Sequence, residues 1–132
     1  MKLKIRRKSL LFRVFALALW SLAILWGSLT PEPYEPSLEM LQWDKLQHFL
    51  AYAMEAFLAG RLFSLRGGKP FNGWIWGGVF AIGFGVLMEI GQAVLTEERM
   101  AGSGDVVANS LGALAVLVAA RVWPWLAQER KP

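Results

Sequence analysis

Four long apolar runs constrain this chain more than any other feature. They cover about residues 10–29, 44–65, 71–95 and 105–126 of the 132-residue sequence. A helix crossing a bilayer needs about 20 predominantly apolar residues, and each run meets that length. The chain is 55% hydrophobic and only 18% charged, whereas soluble domains usually run to about 45–50% and 25%. What lies between the runs is short loops and two tails, which leaves no room for a soluble catalytic domain. The expected fold is all-α, a single polytopic membrane domain over 1–132, with four transmembrane helices in a compact bundle. Its function is then exercised in or against the bilayer.

The first run follows a basic head of Lys2, Lys4, Arg6, Arg7 and Lys8. A secretory signal has a similar head, but its apolar region is only about 7–15 residues and ends at a small-residue cleavage site. This run is longer and ends in Trp26-Gly27-Ser28-Leu29-Thr30-Pro31, so it is read as a retained helix. Pro31, Pro33 and Pro36 then mark an acidic loop over 30–43, because proline cannot continue a helix.

Charge sets the expected orientation. Cytoplasmic loops carry the excess of Lys and Arg. With the N-terminus inside, twelve of the fourteen basic residues fall on the cytoplasmic side, leaving Lys45 and Arg99 outside. Eight of the ten acidic residues then collect at the outer end. Trp26 and Trp43 fall near the outer boundary and Trp74, Trp76, Trp123 and Trp125 near the inner one, as interfacial tryptophans do. Both termini are therefore expected in the cytoplasm, with the chain in a bacterial inner membrane. The net charge of +4 is spread over helix ends, which fits membrane topology and not a nucleic-acid face.

Polar residues within a span cost roughly 2.5–3.5 kcal/mol when charged at a helix centre, and mark functional candidates. Here they fall on single faces. Asp44, His48, Tyr52 and Glu55 share one side of the second run, Glu89 and Gln92 one side of the third, and Asp105 and Asn109 one side of the fourth, by helical spacing. In the expected topology all three patches come to the same outer level, except that Glu55 lies about 16 Å along the helix from Asp44, near mid-bilayer. Gly73, Gly77, Ala81 and Gly85 form a four-residue stripe that lets backbones approach in lipid. Glu89 continues that stripe and is expected to face another helix.

His48 with Asp44, Glu89 and Asp105 makes a candidate acid/base or oxygen-rich site, since His and carboxylates transfer protons and ligate divalent metals. No cofactor is expected, however. A metal at Asp44, His48, Glu89 and Asp105 is disfavoured because His48 is the only histidine. Absent cysteine excludes thiol chemistry and disulfides. Ser103 and Ser110 have no nucleophile elbow around them, and no phosphate-binding glycine loop is present. The same residues admit a structural reading. Asp44 and Asp105 can cap helices, Lys45 and Arg99 can neutralise them, and His48 can link a hydrogen-bond network.

Asp44-Lys45-x-x-His48-Phe49-x-x-Tyr52, Glu89-x-x-Gln92, Arg99 and Asp105-Val106-x-x-Asn109-x-x-Gly112, in that order, resemble the VanZ-like family of small bacterial membrane proteins. The likeness spans about residues 44–113; the first run matches only as a generic hydrophobic span. Glu97-Glu98 before Arg99 is a departure, since members often carry Gly or Pro there. The founding VanZ protein is associated with low-level resistance to the glycopeptide teicoplanin, and most members have no assigned activity. The resemblance implies a site at the outer face that engages a cell-envelope component, such as a lipid-linked wall precursor or a glycopeptide. His48 and Glu89 would be its central polar pair, with Asp44 and Asp105 orienting them. Lys45, Tyr52, Gln92, Arg99 and Asn109 would be binding residues, with Lys45 and Arg99 meeting an anionic headgroup. Two alternatives stand beside it. One is a membrane enzyme acting on a lipid or lipid-linked phosphate from the outer face, which would need more cations than Lys45 and Arg99. The other is a structural or partner-binding subunit. A proton path through Glu55 would require a homo-oligomer, because four helices are too few to enclose one.

Overall fold

A computed structural model describes residues 2–30, 38–66, 69–95 and 102–123, and within these every regular element is helical. Helix α1 spans Lys2–Leu29, α2 Leu38–Phe63, α3 Pro70–Leu95 and α4 Ser103–Val122, with a 3-10 turn over Ser64–Arg66 closing α2. Three of them contain stretches long and apolar enough to cross a membrane: Arg7–Leu29, Phe71–Leu95 and Ser103–Val122.

Three boundaries differ from the sequence reading, the first being α1, which begins at Lys2 and not near residue 10. The acidic loop was expected to run to residue 43, but α2 begins at Leu38, as soon as the chain has cleared Pro36. Asp44 is therefore the seventh residue of the helix and does not cap it. Helix α4 stops at Val122 instead of continuing to 126. Pro124 follows Trp123, and the residue before a proline is pushed out of the α region; Trp123 has φ −110° and ψ 82°.

The centre of the bundle is built from small residues. Ala56 of α2, Ala81 of α3 and Ala113 of α4 are fully enclosed, flanked by Ile82 and Val116. A methyl group on Gly77 would fall inside the backbone of Gly60 and Ala56, and one on Gly112 inside the backbone of Phe49 and Ala53. Helix α2 thus lies in near-backbone contact with α3 on one side and α4 on the other. Dispersion and backbone proximity supply the attraction that the hydrophobic effect does not supply in lipid. Large apolar residues point outward, among them Phe12, Leu87, Val94 and Val118, as they do where the solvent is hydrocarbon.

Trp74 departs from the expected belt of interfacial tryptophans. It is 2% exposed, with its ring over Gly60 and 5.8 Å from that of Phe57. Trp26, Trp43, Trp76 and Trp123 do face outward, and Trp125 lies outside the described residues.

Helix α1 joins differently. Among its residues of described burial, Leu17, Ile24 and Ser28 are buried, and much of its attachment is polar. The Arg13 guanidinium donates to the Arg61 carbonyl in the last turn of α2. The Trp20 indole donates to the Ala51 carbonyl at 3.0 Å and the Ser21 hydroxyl to Glu55 at 2.7 Å. Gln92 of α3 donates to the Ser28 carbonyl at 2.9 Å. These bonds follow one face of α1 from Arg13 to Ser28, with α1 antiparallel to α2.

The small-residue seam predicts an asymmetric pair of variants. Gly77→Ala should destabilise the bundle by about 1–3 kcal/mol, the usual cost of overpacking. Gly83, which has no atoms within 4 Å of its missing side chain, should tolerate Ala within about 0.5 kcal/mol, as exposed positions do. Thermal unfolding of both in the same detergent reads the difference.

Candidate functional site

The parallel packing of α2 and α4 brings their polar faces together at one end. Asp44, Lys45 and His48 lie within five residues of one another in the N-terminal half of α2, and Asp105 lies in the first turn of α4. Lys45 Nζ sits 3.3 Å from Asp105 Oδ1. His48 lies with Nε2 3.7 Å from Asp44 Oδ1 and Nδ1 3.0 Å from Asn109 Oδ1. Carboxylate and imidazole atoms of Asp44, His48 and Asp105 all fall within 4.8 Å of one another.

Local geometry explains the convergence. Residues four apart on a helix stack on one face, so Asp44 and His48 are neighbours, and Asp105 and Asn109 likewise. The close passage at Gly112 sets the two faces side by side. Gly104 adds room, because a side chain there would meet Lys45 Nζ. Asp105 does not cap α4: the residue in that position is Gly102, which makes no side-chain cap bond. Its carboxylate instead lies in the first turn, where the helix dipole favours negative charge.

Each ring nitrogen of His48 therefore faces one oxygen, Nδ1 that of Asn109 and Nε2 that of Asp44, and the tautomer sets which nitrogen donates. Asn109 is 2% exposed, and its amide nitrogen has no hydrogen-bond partner among the described residues. It is held against Gly85 of α3. The expected central pair of His48 and Glu89 does not form: the side-chain partners of His48 are Asn109 and Asp44. Glu89 is buried on α3 and stays outside the Asp44–His48–Asp105 group. It does face the other helices, as the stripe implied, within electrostatic reach of the buried Tyr52. Gln92 is also buried and holds α1 through the Ser28 carbonyl. Arg99, with Glu97 and Glu98, lies outside the described residues.

Beside the cluster a cleft of about 480 Å³ opens between α1 and α2. Trp20, Ala23, Ile24 and Ala51 give it an apolar wall, and Asp44, Gln47, His48, Ser28 and Thr30 a polar rim, with Tyr52 also lining it. Sequence reasoning missed the contribution of α1. The available signal was Ser21 and Ser28, seven residues and two turns apart, which places two hydroxyls on one face of the apolar C-terminal half of α1.

Glu55 is a separate feature. It is fully buried, with one oxygen bonded to Ser21 and Oε2 without a hydrogen-bond partner among the described residues. Distance along α2 separates it from the Asp44–His48–Asp105 cluster, and its visible work is to hold α1.

No protein-family model, no curated protein and no solved structure matches this chain.

The Ser21–Glu55 bond generates a paired prediction. Ser21→Ala should cost about 1–3 kcal/mol by leaving a buried carboxyl oxygen unsatisfied, while replacing both partners with apolar groups should be close to neutral. Ser21→Ala combined with Glu55→Leu should therefore melt above Ser21→Ala alone. A double variant that melts at or below the single variant would show that the bond is not what holds α1.

Proposed function

We propose that this chain is a VanZ-like integral protein of the bacterial cytoplasmic membrane that engages the polar end of a cell-envelope amphiphile at the outer face. A lipid-linked wall precursor is the fitting class, and a contribution to glycopeptide (teicoplanin) resistance follows from sequestering or shielding such a molecule. The observation that carries this reading is the cleft between α1 and α2, with its apolar wall of Trp20, Ala23 and Ile24 and its rim of Asp44, Gln47 and His48. An amphiphile needs that sequence of surfaces, an apolar channel for its tail and polar groups for its head.

In this reading α2 is the fourth span. It has 26 residues, about 39 Å at 1.5 Å per residue, enough for the hydrocarbon core. Its polar groups are covered by the other helices: Glu55 by α1, His48 by Asn109 of α4 and Tyr52 by Gly85 of α3. Intramembrane polar residues characteristically turn inward in this way. The orientation rests on charge. Lys and Arg gather at the start of α1, the α2–α3 connection and the end of α4, which puts both termini in the cytoplasm and the His48 cluster outside. Lys45 meets the anionic part of the headgroup, as its half-exposed side chain allows.

Two variants test the proposal, one that fills the cleft and one that removes a rim group. Ala51→Trp puts a large side chain on the cleft wall, and His48→Ala removes the rim group. In a teicoplanin-sensitive bacterium carrying the protein, both variants should return sensitivity to that of cells without it. Membrane protein levels and detergent melting temperatures should stay near those of the unaltered chain. Unaltered resistance in both variants at equal levels would defeat the proposal.

A further inference from the structure

We propose that Asp44, His48 and Asp105 form a binding site for a divalent transition-metal ion, with zinc the fitting ion. This goes beyond the envelope reading and stands without it. Zinc takes His nitrogen and carboxylate oxygen at about 2.0–2.2 Å, which spaces neighbouring ligand atoms roughly 3–4 Å apart. Asp44 Oδ1 and His48 Nε2 already lie 3.7 Å apart, and the atoms of the three residues span no more than 4.8 Å. Side-chain rotation closes the remainder.

Three independent features favour an ion over a chance gathering of charge. The first is the orientation of His48. Its Nδ1 lies 3.0 Å from Asn109 Oδ1, so the Nδ1–H tautomer, which an ion at Nε2 would select, is supplied with its acceptor. A metal-binding histidine is typically fixed in this manner, by donating its other ring nitrogen to an oxygen. The second is access: the side chains of His48, Asp105 and Asp44 are 15%, 17% and 32% exposed, sheltered yet reachable. The third is the adjoining cleft, whose wall includes Asp44 and His48, so further ligands of a four- or five-coordinate ion can come from that side. One imidazole with two carboxylates suits zinc better than magnesium or calcium, which favour oxygen alone.

Lys45 is the built-in competitor. It bonds Asp105 Oδ1 through a half-exposed, flexible side chain, a weak kind of pair. Two carboxylates against one ammonium leave one net negative charge for an incoming ion.

The test is zinc titration of the full chain in detergent, by calorimetry in a chelator-free buffer, with the visible spectrum of the cobalt-loaded protein as a second readout. The expected result is one saturable site per chain, lost in Asp44→Asn and in His48→Gln. Asn109→Leu, which frees the ring without removing a ligand, should weaken binding about 10–100-fold, as outer-shell changes do. Lys45→Gln should tighten binding, the opposite of what a structural ion pair predicts. Gly83→Ala, remote on α3, should bind as the unaltered chain does. Melting temperatures taken without metal separate lost folding from lost ligands. Absence of saturable binding, or binding in Asp44→Asn and His48→Gln equal to that of the unaltered chain, would overturn the proposal. Zinc binding with unchanged teicoplanin sensitivity in the cleft variants would leave the metal site standing and the envelope reading refuted.

Discussion

The near-backbone contact of α2 with α3 and α4 is the constraint on which the rest of this molecule depends. Gly60 against Gly77, and Gly112 against Phe49, leave no space for a side chain between the helices. In an apolar solvent, helices gain nothing by merely hiding leucines from lipid, so association rests on close van der Waals fit. Once that fit is made, the lateral positions and the registers of three helices are set together. The ionisable cluster follows from the register of α2 against α4: Lys45 meets Asp105 and His48 meets Asn109 because Phe49 meets Gly112.

Helix α1 is held by another principle. It contributes few buried apolar residues and is joined by side-chain hydrogen bonds from Arg13, Trp20 and Ser21 and to Ser28. Bonds of this kind leave gaps that close packing would fill, and the cleft with Trp20, Ala23 and Ala51 on its walls is such a gap. The tight seam and the loose one therefore do different work. The first places the ionisable groups, and the second provides a space beside them.

Much of the architecture was legible in advance. Apolar run lengths indicated four helices, and the small-residue stripe indicated the buried face of α3, because helical periodicity alone places Gly73, Gly77, Ala81 and Gly85 on one side. Spacing also showed which polar residues share a face on each helix. It was silent on partners between helices. His48 pairs with Asn109 and Asp44, not with Glu89, because that choice depends on the relative height of α2, α3 and α4. Capping roles for Asp44 and Asp105 also failed, since α2 starts once the chain clears Pro36 and α4 starts after Gly102. Trp74 looked like a boundary residue by position, but Gly60 opposite it makes a niche that only packing reveals.

Sequence by itself determined the element type, the apolar lengths and the face of each helix on which ionisable groups lie, because these are local consequences of a 3.6-residue period and of the cost of charge in hydrocarbon. Tertiary structure alone decided which groups meet. Register and lateral order come from contacts between residues far apart in the chain, and a shift of one turn, about 5.4 Å, would separate His48 from Asn109 while leaving every helix intact.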